Sequence, residues 1–171
     1  MTVDSMVDTV WKGVQRRVHH PQELRGKLSV EDAYRVQLGL LARHQQAGER
    51  QAGWKVGVTS KAVQAQLGLA EPVFGFLLES GHKPNGSVFD VASLIRPAFE
   101  NELCITMGAT LVGPGVTLEQ GRSAISHVAP ALEIVETRGD VLELELVLAD
   151  NSQQKAFVTG RAQPFDGLGQ R

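Results

Sequence analysis

The sequence predicts an α+β protein, with helices gathered at the N-terminal end and strands in the remainder. Two observations carry this. Apolar residues recur at spacings of three and four through the first fifty residues, and after Gly53 the period drops to two. Helices followed by a run of strands, rather than alternating with them, define the α+β class.

The first helix is marked by Val3, Val7, Val10, Val14 and Val18, which form one apolar stripe. His19-His20-Pro21 ends it. Ser29 with Asp32 three residues on resembles a capping box and opens a second helix. Ala33, Tyr34, Gln37, Leu38 and Leu41 follow at helical spacing, and Gly48 is the stop. Gly53 to Thr59 alternates, so Trp54, Val56 and Val58 share one face, expected to be core, and Lys55 and Gly57 the other. Ser60 starts a short helix ending at Gly68, and Phe74 to Leu78 reads as a strand. Gly81 to Gly86, with His82 inside it, reads as a turn.

Ala98 to Leu111 is the next strand, with Phe99, Leu103, Ile105 and Met107 on one parity and Glu100, Glu102 and Cys104 on the other. Thr117 with Gln120 opens a helix to about Val128, which places His127 at a helix end. Pro130 to Thr137 and Val141 to Ala149 read as two strands turning at Gly139-Asp140, and Ala156 to Thr159 as a last short one. The chain is read as one domain over 1–171. Its parts are a helical 1–52, a β-rich, metal-binding 53–162 and a loose tail 163–171.

Composition narrows the function. With 42% hydrophobic and 21% charged residues the chain is an ordinary globular domain. Its net charge of −2 and scattered Lys and Arg give no footprint for nucleic acid or an anionic membrane. No apolar run approaches the ~20 residues of a membrane span. The single cysteine, Cys104, excludes an intrachain disulfide, and a cytoplasmic location is the expectation. His19 and His20 are expected to be solvated at a helix end.

Three glutamates and a lysine stand out. Glu100 and Glu102 sit at i and i+2, so on a strand both carboxylates leave the same face. That spacing alone also describes a solvated strand face. Glu133 lies inside the apolar run Pro130 to Val135, where a carboxylate is either paired or coordinating. Three converging carboxylates repel unless a cation neutralises them, and oxygen-only ligands suit a hard ion, Mg2+ or Mn2+. Lys55 is mid-strand beside Gly57 and reads either as an edge lysine in water or as a general acid/base. Cys104 shares the glutamates' parity, though a lone Cys is more often a small core residue.

The run GWKVGVTSKAVQAQLGLAEPVFGFLLE resembles the segment that opens the catalytic region of 2-keto-4-pentenoate hydratases and 4-oxalocrotonate decarboxylases. These are a branch of the fumarylacetoacetate hydrolase superfamily. RPAFENELCITMG resembles their metal-binding strand with its Glu-x-Glu pair, PALEIVETR the strand bearing the third metal carboxylate, and ADNS at Ala149 to Ser152 a segment near their substrate pocket. The resemblance runs in order from about Ala33 to Thr159. It implies N-terminal helices on a mostly antiparallel, rolled sheet. It implies Glu100, Glu102 and Glu133 as ligands of Mg2+ or Mn2+ and Lys55 as the catalytic lysine. It also implies substrate contacts at Phe74, Gly75, Asp150, Asn151 and Ser152.

The activity so implied is hydration of a 2-oxo or 2-hydroxy-dienoate such as 2-keto-4-pentenoate, in aromatic-compound catabolism. Decarboxylation of 4-oxalocrotonate by the same site is the alternative. Hydratases of the family commonly carry an acid just before the Phe/Tyr-Gly dipeptide, where this chain has Val73. The family pattern continues beyond Arg171, so the chain reads as C-terminally short, with an open pocket. An inactive member acting as a binding or partner subunit is the reading from another class. The expected partners are a small 2-oxo acid and a second copy of the chain covering Leu142, Leu144, Leu146 and Leu148, with a hydratase–decarboxylase complex as a further assembly.

Overall fold

A computed structural model describes residues 1–165, and these form the expected α+β arrangement. Helix α1 spans Val3–Arg16 and α2 spans Val30–Gln46. Each starts where a hydroxyl accepts an otherwise orphaned N–H: Thr2 from Ser5, and Ser29 from Asp32. The first helix closes on a left-handed Arg17, and the Val18 amide donates back to the Gly13 carbonyl. Val18 therefore leaves the apolar stripe and is exposed.

Two strands follow, β1 (Gln51–Gly57) and β2 (Val73–Leu78), joined through α3 (Lys61–Gln66) and paired antiparallel as a two-stranded sheet. The larger sheet contains β3 (His82–Lys83), β4 (Pro97–Met107), β5 (Ile125–Glu136), β6 (Gln154–Thr159) and β7 (Gln163–Pro164). Its order is β3-β6-β5-β4, with β7 also on β5, and among the described residues only the β3–β6 pairing is parallel. The small helix α4 (Leu118–Ser123) lies between β4 and β5, and α5 (Leu144–Ala149) between β5 and β6. Among the described residues no helix is long and apolar enough to cross a membrane.

The main core lies where α1, α2, α5 and β2 meet, around Val10, Leu24, Val36, Leu40, Phe76 and Leu148. The fully buried amide of Gln37 donates to the Phe74 and Leu148 carbonyls and so ties α2 to β2 and α5. By contrast β4 is exposed along nearly its whole length, an edge strand showing Phe99, Leu103, Ile105 and Met107 to solvent.

Several expectations are corrected. Val141 to Ala149 is not a strand: its end is α5, with Leu146 and Leu148 buried in the chain's own core and Leu142 exposed. The Leu-Glu alternation imitates a strand, but Leu and Glu are strong helix formers, and packing on α2 decides. No leucine face is left there for a partner. The helix from Thr117 stops at Ser123, and β-branched Ile125 begins β5, so His127 is a strand residue opposite Thr106.

Trp54 and Val56 are half exposed, because β1 packs inward through the Lys55 face. Alternation separates two faces without saying which one is buried. His20 is buried and His19 largely covered, so neither is solvated as expected. His19 Nδ1 lies 3.3 Å from Asp150 Oδ2, and the His20 ring fills space over Gly139 that a Cβ there would occupy. His82 belongs to β3 rather than to a turn. Of the tail, Gln163 and Pro164 pair with β5 as β7, and residues 166–171 lie outside the described residues.

Candidate metal and acid–base site

Strand register builds the site. On β4, Glu100 and Glu102 leave the same face, and Glu100 is the direct cross-strand partner of Glu133 on β5. One carboxylate oxygen from each of Glu100, Glu102 and Glu133 lies within 4.8 Å of the other two. Glu100 and Glu102 are exposed, whereas Glu133 is only 5% exposed. Cys104 shares this face by parity, opposite Ala129, but is not part of the carboxylate group.

Lys55 reaches the same group from the other sheet. Its Nζ lies 3.1 Å from Glu133 Oε1 and donates to Oε2 at 3.3 Å. The approach to Oε1 is close but poorly directed, and that buried oxygen accepts no hydrogen bond. Burial raises the Glu133 carboxyl to about 6. Lys55 pulls it down, and the charges of Glu100 and Glu102 push it further up. A buried carboxylate oxygen without a donor, beside two more carboxylates, matches what a hard divalent cation requires. The residues therefore fit such an ion.

The loop after α5 sets the height of β2 and with it Lys55. Residues 151–153 are all left-handed, with φ of 55°, 51° and 64°. Such strain in non-glycine residues persists only where surroundings over-determine it. Asn151 accepts from the Phe76 amide at 2.7 Å and donates to its carbonyl at 2.9 Å, acting as a one-residue strand along β2. Ser152 Oγ donates to the Phe74 carbonyl at 3.1 Å. Asp150 accepts from Arg138 Nε at 2.6 Å. Burial pushes the Asp150 carboxyl up, but Arg138 and His19 outweigh it, and the net result is below the usual range.

Gly75 is the partner of Lys55 in the β1–β2 pair. A Cβ there would come within 2.9 Å of Asn151 Oδ1 and 3.3 Å of Lys55 Cγ, so the close approach requires glycine. Phe74 stacks on Tyr34 with ring centroids 4.3 Å apart. The structure thus gathers Glu100, Glu102, Glu133 and Lys55 into one group, with Gly75 directly behind the lysine. It gives the side chains of Asp150, Asn151 and Ser152 protein partners around β2.

Sequence reasoning missed the far side of the carboxylate face. Register continues the row from Glu133 to Phe157 on β6 and from Phe157 to His82 on β3. Ala156 to Thr159 reads as a short strand, but nothing in the sequence tells which strand it joins. Arg138, His19 and Glu136 were likewise missed. Arg138 is buried and bridges Asp150, Glu136 and the Gln154 carbonyl.

No family model matches the chain. It is similar to 2-hydroxypent-2,4-dienoate hydratase of Pseudomonas putida, 39% identical over 151 residues that cover 86% of this chain and 68% of the relative. It is 34% identical over 136 residues to 4-oxalocrotonate decarboxylase of Pseudomonas putida, covering 78% of this chain and 52% of that one. Among solved structures, 4-oxalocrotonate decarboxylase from Pseudomonas putida G7, complexed with magnesium and adipate, matches with a TM-score of 0.85 at 30% identity. That match covers 97% of this chain and 66% of that one. The chain spans between about half and two thirds of the length of these relatives.

Proposed function

We propose a function from one premise: the chain belongs to the family of 2-keto-4-pentenoate hydratases and 4-oxalocrotonate decarboxylases, with a fold of the fumarylacetoacetate hydrolase type. The function is that of a divalent-metal-dependent lyase that hydrates a 2-oxo or 2-hydroxy-dienoate such as 2-keto-4-pentenoate. The observation that carries this reading is the convergence of Glu100, Glu102 and Glu133 with Lys55 held against them.

Glu100, Glu102 and Glu133 would hold Mg2+ or Mn2+, which supplies Lewis-acid polarisation of the carboxylate and keto oxygens of a 2-oxo acid. Lys55 Nζ carries the proton that moves during tautomerisation of the dienol to the oxo form. Glu133 orients that amine, and Gly75 and Asn151 fix the strand behind it. Gly75 and the loop of Asp150, Asn151 and Ser152 would form the β2 side of the substrate space, whereas Phe74 projects from the opposite face of β2, in register with Val56 and against Trp54 and Tyr34.

A second reading, decarboxylation of a 4-oxalocrotonate-type acid, is favoured by one observation. Val73 is buried in the apolar core, where hydratases carry an acid to work with the lysine. We also propose self-association through the exposed apolar face of β4, since a long open edge with Phe99, Leu103, Ile105 and Met107 beside it favours a partner.

Loss of the dienoate ultraviolet absorbance in the presence of Mg2+, abolished by a chelator, tests the activity. 2-Hydroxypenta-2,4-dienoate and 4-oxalocrotonate are to be compared as substrates. Turnover of the first supports hydration and of the second alone decarboxylation, whereas metal-dependent turnover of neither overturns the enzyme reading.

A further inference from the structure

Arg138 stands just past the end of β5, the strand that carries Glu133, and its side chain is only 6% exposed. Its fork reaches both ends of the left-handed run 151–153. Nε donates to Asp150 Oδ2 and Nη2 to the Asp150 carbonyl, each at 2.6 Å, and Nη1 donates to the Gln154 carbonyl at 3.0 Å. Nη1 also lies 3.5 Å from Glu136 Oε2, and Glu136 Oε1 accepts from the Ile95 amide at 3.0 Å. A second support of Asp150 comes from the segment after α1, where His19 Nδ1 lies 3.3 Å from Asp150 Oδ2.

We propose that Arg138 is a positioning residue for Lys55: by closing both ends of the 151–153 loop it holds Lys55 Nζ against Glu133. The inference rests on the proposed acid–base role of Lys55. The loop touches β2 through Asn151 at Phe76 and through Ser152 at Phe74, on either side of Gly75. Gly75 is the cross-strand partner of Lys55, and Asn151 Oδ1 lies 2.9 Å from where a Gly75 Cβ would stand. A shift of the loop is therefore a shift of the strand behind the lysine. The same guanidinium ties that loop to Glu136, at the end of the strand of Glu133. Both members of the Lys55–Glu133 pair are thus anchored to one buried cation.

Fork geometry, beyond charge, performs this role. Consecutive left-handed residues other than glycine persist only where their surroundings over-determine them. The carbonyls at the two ends of the run need two donors at a fixed separation. The planar guanidinium supplies them, whereas the single ammonium of a lysine cannot hold both ends at once.

The test is Arg138→Lys, which keeps the charge and loses the fork. In the metal-free chain, hydrogen exchange of the Phe76 amide and acetic-anhydride labelling of Lys55, taken relative to exposed Lys12, should each quicken by roughly 10-fold or more, while the amides of α2 keep their wild-type protection. In the Mg2+-loaded chain kcat should fall by roughly 10-fold or more, with KM and the Mg2+ stoichiometry unchanged. Arg138→Gln combined with Asp150→Asn neutralises the buried pair and is the second variant, read by the two metal-free measurements alone and expected to show the same local loosening. Lys55 labelling at the wild-type rate in a folded variant, or loosening of α2 to the same degree, overturns the proposal. Failure of both variants to fold assigns Arg138 to the fold alone and overturns it as well. Faster Lys55 labelling in Arg138→Lys, together with full turnover in Lys55→Met, upholds the positioning and overturns the acid–base reading instead.

Discussion

Lys55 Nζ lies 3.1 Å from Glu133 Oε1, although the lysine belongs to the two-stranded sheet and the glutamate to the five-stranded one. Glu133 is buried and Lys55 nearly so, and the pair joins the two sheets at the point where Glu100 and Glu102 also arrive. Removing one partner of a buried ion pair strands the other charge. Lys55→Met should therefore destabilise the metal-free chain by roughly 3 kcal/mol at neutral pH. It should lower turnover by about 100-fold or more while leaving a Mg2+ response. Urea unfolding and steady-state kinetics read the two effects, and unchanged turnover would remove the acid–base role.

Protonation of Glu133 gives a pH signature. Its carboxyl titrates at about 6 in the folded chain, above its ordinary value of 4.5. Between those values the folded state holds more protons than the unfolded one, so stability from this group is present at low pH and is lost as pH rises through about 6. The expected change is on the order of 2 kcal/mol. Asp150, whose carboxyl is held low, acts in the opposite sense and loses its contribution as pH falls. The readable quantity is therefore the difference between wild type and Glu133→Gln in metal-free urea titrations at several pH values. Identical pH dependence in the two would contradict the environment described for Glu133.

The loop behind the lysine is testable by packing. Asn151→Ala leaves the Phe76 N–H and C=O without their partner, at roughly 1–3 kcal/mol for each buried group. Gly75→Ala pushes a Cβ onto Asn151 and Lys55. Both variants should unfold at lower urea. Gly75→Ala should also lose turnover in its folded fraction, because the contact displaces Lys55. Full stability in Asn151→Ala would show that the loop does not hold β2.

Much of the fold was legible in the sequence. Ser29 and Thr117 announced their helices through side chains that cap the first turn, a local effect. Parity alone brought Glu100 and Glu102 to one face, and the apolar run around Glu133 marked it as buried. What was not legible depended on contacts distant in sequence. The Leu144 to Ala149 segment is a helix because α2 receives it, and His20 is buried because Gly139 leaves room for its ring. Trp54 points outward because β1 packs against the larger sheet through its other face, where Lys55 meets Glu133. The row from Glu133 to His82 needs the order of four strands, and a sequence read along one chain does not contain it.

The central claim is that three carboxylates from two adjacent strands form one divalent-metal site. Calorimetric titration of Mg2+ into the metal-free chain tests it most directly. The account predicts one ion per chain, affinity that weakens as pH falls through about 6 while Glu133 takes up its proton, and loss of binding in Glu100→Gln, Glu102→Gln and Glu133→Gln. Absence of binding in the wild type, or binding that persists unchanged in all three variants, would contradict it.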